Sequence, residues 1–198
     1  MKPDIDAIAR VLSAGGVALL PTDTIYGLHA VATNDDAIRK LATIKGRDDG
    51  KPFIVLAASM EQAESLGARF PANARAIVRE FWPGPLTAVV LLDQPIAASR
   101  GARTIAIRVP DLKWMRDLIT ASDPLASTSA NLSGEQPIQT PKSLSLELKQ
   151  RIDIIIDNGL LEGKPSTIVD FTGDEPRFIR SGASLFTQNV WKTLRKSL

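Results

Sequence analysis

Leu19-Leu20-Pro21-Thr22-Asp23-Thr24-Ile25-Tyr26-Gly27-Leu28 changes character halfway along. The apolar run from Val17 to Leu20 reads as a strand. It stops at Pro21, which has no backbone N–H and cannot continue a central ladder. Three short polar side chains follow, then the only tyrosine of the chain and a glycine. An apolar strand emptying into hydroxyls, a carboxylate and Gly is how open α/β sheets build binding sites at strand ends. Thr and Asp are turn and cap residues as well, so the stretch by itself leaves a turn and a site both open.

Upstream, Ile5, Ile8, Ala9 and Leu12 recur at helical spacing after Pro3-Asp4 and end at Gly15-Gly16. Downstream, Ala30-Val31-Ala32 is a short extended piece. Asn34 caps a helix carrying Ala37, Ile38, Leu41 and Ile44 inward, which stops at Lys45-Gly46-Arg47. Phe53–Ala57 reads as a buried strand. Ser59 and Gln62 have capping-box spacing, and 71–81 is a helix ended by Trp82-Pro83-Gly84-Pro85. Strands are expected at 86–92, 104–109, 125–129 and 152–157, with helices at 111–119 and 141–149. Residues 166–171 and 177–180 look like a strand pair around Thr172-Gly173-Asp174. Phe186, Val190 and Leu194 suggest a tail helix. Helices and strands interleave throughout, with no repeat and no linker. The pattern predicts an α/β domain over residues 1–185 with one main mixed sheet, then a helical tail at 186–198.

The 198 residues are 44% hydrophobic and 23% charged, enough for one sizeable core. With 24 basic and 22 acidic residues, the charge is too balanced to imply a nucleic-acid partner from net charge alone; any basic site must be local. There is no cysteine, hence no disulfide, thiolate catalysis or Cys-based zinc site. The single histidine, His29, excludes multi-histidine metal motifs and disfavours a Ser-His-Asp triad. No signal peptide or membrane span is legible, which leads to the expectation of a soluble, cytoplasmic protein.

Three polar clusters follow apolar elements: Thr22-Asp23-Thr24; Lys45, Arg47 and Lys51 among glycines; and Ser127-Thr128-Ser129-Ala130-Asn131. Two cations two residues apart beside Gly suit phosphate. Hydroxyls and an amide complete an anion site without titrating. Lys45 and Arg47 at a helix C-terminus also offset the helix dipole, and the serines are also turn formers. Nothing resembles a nucleophile activated by a base. An enzyme built this way orients reactants and neutralises charge.

In this order, the motifs at 21–28, Lys45-Gly46-Arg47, Lys51-Pro52, Trp82-Pro83-Gly84-Pro85-Leu86-Thr87, 127–134 and Ser166-Thr167-Ile168-Val169-Asp170 resemble the YrdC/Sua5 family. Each motif alone is weak; the ordered set, spanning about residues 5–183, is specific. The resemblance implies a curved mixed sheet, parallel and antiparallel, flanked by helices around a concave basic cleft. It implies a single-domain threonylcarbamoyl-AMP synthase: L-threonine, bicarbonate or CO2 and ATP give threonylcarbamoyl-AMP and pyrophosphate. The product feeds N6-threonylcarbamoyladenosine formation at position 37 of tRNA through downstream threonylcarbamoyl transferase machinery.

Carried over by position, the catalytic set is Lys45, Arg47, Ser129 and Asn131, which with Thr104 and Arg180 hold ATP. Thr24, Arg108, Ser127 and the Ser166-Thr167 pair hold threonine. Mg²⁺ rides on the ATP phosphates, and no organic prosthetic group is implied. Leu56 stands where some members carry His, and His29 where many carry Gly. The alternative is a double-stranded RNA or tRNA-binding module of the same fold without synthase activity. Few aromatics for base stacking weigh against it.

Overall fold

Helices begin where the sequence offers a side-chain cap. The structure, a computed structural model, describes residues 3–46, 50–132 and 134–194. Asp4 accepts a hydrogen bond from Ala7 N–H at 3.0 Å and starts α1 (Ile5–Ser13). β1 (Ala18–Pro21) and β2 (Tyr26–Val31) then form an antiparallel hairpin whose last pair is Pro21 with Tyr26. Asn34 accepts from Ala37 N–H at 3.0 Å and starts α2 (Asp35–Lys45). The helix ends on Gly46 at φ +62°, a left-handed stop that favours glycine.

β3 (Ile54–Leu56) precedes α3 (Met60–Ser65), capped by Ser59. The expected capping box is shifted by one residue: Gln62 Oε1 accepts from the N–H of Ala58 rather than Ser59. β4 (Ala68–Arg69), α4 (Ala72–Phe81), β5 (Leu86–Leu92), β6 (Thr104–Arg108), α5 (Lys113–Ser122) and β7 (Leu125–Ser129) follow. The helix expected over 141–149 is broken. A 3₁₀ turn occupies Pro141–Ser143, Leu144 is extended and buried, and Ser145 caps a new helix, α6 (Leu146–Arg151). β8 (Ile154–Ile155), β9 (Thr167–Asp170), β10 (Arg177–Arg180) and α7 (Gln188–Leu194) complete the chain.

Ten strands among the described residues form one sheet, in the order β10-β9-β5-β6-β3-β7-β2-β1-β8, with β4 beside β5. β5–β9, β3–β6 and β1–β8 are parallel and the other pairs antiparallel. The expectation of a single α/β domain with a mixed sheet flanked by helices is met.

Alternation along the strands divides the interior in two. Leu19, Leu28, Val55 and Ile107 join α2 and α4 in the larger core, which also takes in Phe186. Leu20, Val31, Leu56 and Leu125 meet Ile8 and Leu12 of α1 and Met115, Leu118 and Ile119 of α5 in the smaller one. Leu56 of that second cluster and Ile54, packed against it, also line a cavity. The cavity therefore opens on the α1/α5 face, where helical cover stops.

Candidate functional site

The hairpin tip between β1 and β2 realises both readings of its threonines. Thr22 builds the turn: its hydroxyl donates to Ile25 O at 2.7 Å and accepts from the N–H groups of Thr24 and Ile25 at 3.2 Å. Thr24 presents its hydroxyl to Arg108, which reaches it from β6 with Nη1 at 3.0 Å. Between them Asp23 pairs with Arg108 Nη2 at 2.5 Å and accepts from Asp111 N–H at 3.2 Å. The Arg108 and Asp23 side chains are only 5% and 10% exposed.

Burial pulls the Arg108 guanidinium below its ordinary range; Asp23 opposes this and the like charge of Arg180 adds to it. Its Nε is buried without a hydrogen-bond partner. Arg180, on β10, is also lowered by burial and is held by Ser166: Nε donates to the Ser166 carbonyl at 3.0 Å and Nη2 to its hydroxyl at 3.1 Å. Thr87 donates to the same hydroxyl at 2.8 Å. Two partly desolvated guanidinium groups, each feeling burial and one feeling the other, favour an anion between them.

Lys45 lies across the sheet. Its side chain turns inward from the end of α2 and is 5% exposed. Nζ lies within hydrogen-bond reach of four acceptors: Ser129 O at 2.8 Å, Ser129 Oγ at 3.1 Å, Asn131 O at 2.8 Å and Asn131 Oδ1 at 2.7 Å. Asn131 Nδ2 donates to Leu132 O and Glu135 O, both at 2.7 Å, which fixes the amide so that its oxygen faces the lysine. A role confined to offsetting the helix dipole does not need this geometry. Arg47, the fourth member of the expected set, lies outside the described residues, as do Asp48, Asp49, Ser133 and residues 195–198.

These groups share one cavity of about 760 Å³. Thr24, Lys45, Arg108, Ser127, Ser129, Asn131, Ser166 and Arg180 all line it. Thr104 and Thr167 do not. Thr104 shares a strand face with Ala106 and Arg108 but sits further along β6, beyond the cavity lining. Thr167 points the other way, and its hydroxyl oxygen accepts from the N–H groups of Gly182 and Ser184 at 3.0 and 3.2 Å. Asp23, named from sequence only as part of the Thr22-Asp23-Thr24 cluster, and Thr87, quoted only inside a family motif, hold the site together. Asp23 stood inside the opening motif and Thr87 inside Trp82–Thr87, but neither carried a signal naming its partner. No helix among the described residues is long and apolar enough to cross a membrane.

The mixed sheet gathers two arginines, two lysines (Lys45 and Lys51) and several hydroxyls around one cavity. Residues 10–182 match the Sua5/YciO/YrdC family, described as telomere recombination, and the chain belongs to that family. A relative from Bacillus subtilis strain 168, named threonylcarbamoyl-AMP synthase, is 38% identical over 186 residues, covering 91% of this chain and 54% of the relative. A Sua5 structure from Pyrococcus abyssi superposes with a TM-score of 0.88 at 33% identity, over 96% of this chain and 59% of the other. A second, of P. abyssi Sua5 complexed with L-threonine, gives 0.81 at 33% identity, over 90% of this chain and 54% of the other. The chain spans little more than half the length of each.

Proposed function

We propose that this chain is an L-threonylcarbamoyladenylate synthase, a nucleotidyltransferase acting on L-threonine, CO2 or bicarbonate, and ATP. The observation that carries this reading is that one cavity holds two chemically distinct halves. Arg108, Thr24 and Ser127 suit an amino acid: a guanidinium for the carboxylate and hydroxyls for the polar remainder. Lys45, Ser129 and Asn131 suit a triphosphate, with Arg47 and Arg180 added by the family resemblance. The relative named threonylcarbamoyl-AMP synthase and the threonine complex of P. abyssi Sua5 support the assignment.

In this mechanism the threonine amine adds to CO2, loses a proton and becomes a carbamate. A carbamate oxygen attacks the α-phosphorus of ATP, the bond to the bridging oxygen breaks, and pyrophosphate leaves with the electron pair. No protein nucleophile is required. Arg108 holds the amino acid, and Lys45, Arg47 and Arg180 offset the phosphate charge. Hydroxyls, an amide and cations are donors for phosphate oxygens, so Mg²⁺ is taken to arrive on ATP as part of the substrate. The product feeds N6-threonylcarbamoyladenosine formation in tRNA. Threonine-dependent pyrophosphate release tests the reading, with valine as the competitor that lacks the hydroxyl.

A further inference from the structure

Tyr26 is the only tyrosine of the chain, and the reaction as derived does not use it. It is fully buried, packed in the larger core, and borders the cavity. Its hydroxyl makes two hydrogen bonds, both to the backbone of the segment that joins β8 to β9. The Asn158 N–H donates to it at 2.9 Å, and it donates to Gly159 O at 2.8 Å. Both directions are fixed, because an amide N–H only donates and a carbonyl only accepts. Burial raises the phenol above its ordinary 10.0, against the Asn158 hydrogen bond and with the charge of Asp157, so it keeps its proton at neutral pH. That proton is committed to Gly159, and none is left for a reactant.

The joining segment, residues 156–166, has no regular structure and forms a strap against the hairpin tip. Leu161 N–H donates to Gln139 O at 2.8 Å. Gly163 then passes so close to Thr24 O that a Cβ finds no room. Pro165 and Ser166 line the cavity. The Ser166 end has its own anchors: Thr167 N–H donates to Pro85 O at 3.0 Å, and Thr87 donates to the Ser166 hydroxyl at 2.8 Å. The other end depends on Tyr26, whose backbone also pairs with Pro21 and closes the hairpin that carries Thr24. One residue therefore sets both sides of the Thr24–Gly163 contact, the tip through its backbone and the strap through its hydroxyl.

We propose that Tyr26 is a positioning residue for the amino-acid half of the cavity: its hydroxyl pins the strap, which seats Gly163 against Thr24 and keeps the Thr24 hydroxyl at Arg108. That hydroxyl accepts from Arg108 Nη1 at 3.0 Å, so a shift of the tip is felt directly at the guanidinium. The proposal rests on the reading of this half of the cavity as the threonine site.

The experiment uses the full chain and does not depend on turnover. In calorimetric titrations, Tyr26→Phe is expected to weaken L-threonine about fivefold, which is about 1 kcal/mol. ATP affinity stays within twofold, because Ser166 and Arg180 keep their anchors. Asn158 and Gly159 are exposed residues whose freed backbone groups turn to water, so the variant stays folded. Gly163→Ala separates positioning from packing. On a pinned strap the added methyl pushes Thr24; on a strap released by Tyr26→Phe it pushes the strap instead. The double variant is therefore expected to lose less threonine affinity than the two single losses multiplied together. In the wild type, saturating L-threonine is expected to slow amide exchange over residues 158–163, because a ligand that depends on the tie must strengthen it, whereas ATP leaves that exchange unchanged.

Native threonine affinity in folded Tyr26→Phe overturns the proposal, as do single losses that simply multiply, or strap exchange indifferent to threonine. If Tyr26→Phe does not fold, the wild-type exchange decides. A wild type that binds threonine but releases no pyrophosphate overturns the proposed activity and leaves the Tyr26 role standing. One that does not bind threonine overturns both.

Discussion

Arg108 and Asp23 depend on each other, because both are withdrawn from water and each is the other's counter-charge. Removing one partner of a buried pair strands the other, which is why breaking such pairs costs more than they are worth intact. Arg108→Ala is expected to destabilise the fold by about 3–5 kcal/mol in urea titrations and to abolish threonine binding. Asp23→Asn in the same chain should restore part of the stability and none of the binding. If stability is unchanged in Arg108→Ala, the pair is not buried in solution. Only half of this could be read from sequence. Arg108 was reached through the family resemblance, at the end of the strand expected over 104–109, but its partner is 85 positions away and nothing local couples them. His29 adds a pH dependence. Its folded value of about 4 lies below the unfolded 6.5, so the unfolded chain binds the extra proton and stability falls as pH drops through that window. About 2 kcal/mol should be lost between pH 8 and pH 5, a slope absent from His29→Gln. In Asp153, hydrogen bonds from Lys40 and Val17 N–H outweigh burial and lower the carboxyl below 3.8, so its loss begins only at more acid pH.

The segment joining β8 to β9 shows how an element without regular structure controls the site. Gly163 passes so close to the hairpin tip that a Cβ there would lie 1.7 Å from Thr24 O. Gly163→Ala must push the two apart and move Thr24 relative to Arg108. Overpacking of this kind costs about 1–3 kcal/mol, and threonine affinity should fall with it while ATP affinity holds. Calorimetry with each ligand and a melting curve check this; equal loss of both ligands would place Thr24 elsewhere. Elements with strong local signals were legible. Asn34 caps the helix it was read to cap, the first helix begins after Pro3-Asp4 as read, and the spans 86–92 and 125–129 form strands as expected. Others left no trace. β4 and β8 are two residues each, too short for any period to show. β2 is buried along all six residues, so it lacks the alternation that marks a half-exposed strand and was read only as a short extended piece. The 141–149 pattern merged two elements because Leu144 and Leu148 are both buried, and spacing alone does not reveal the break at Ser145.

At the scale of the whole molecule, the site exists because strands distant in sequence are neighbours in the sheet. β7 lies between β3 and β2, which brings Ser127 and Ser129 between Arg108 on one side and the hairpin tip on the other. β9 lies beside β5, which brings Ser166 to Thr87 and, through Ser166, fixes Arg180. The mixed character of the sheet was legible in the alternation of helices and strands and in the final strand pair. Its order was not, because pairing partners are chosen by long-range packing that no window of sequence contains. The family motifs named the Ser166-Thr167 pair together, and the structure separated Ser166, which lines the cavity, from Thr167, which braces the backbone. The chain also spans little more than half the length of the synthase and the Sua5 structures it was matched to above, and the chemistry proposed is assigned to the cavity described here. Pyrophosphate release by the purified 198-residue chain, supplied with ATP and bicarbonate, tests this most directly. The account predicts release that requires L-threonine and falls by about a hundredfold or more when valine replaces it, because valine leaves buried polar groups unpaired. Release that proceeds without an amino acid, that is equal with valine, or that is absent with threonine would contradict it.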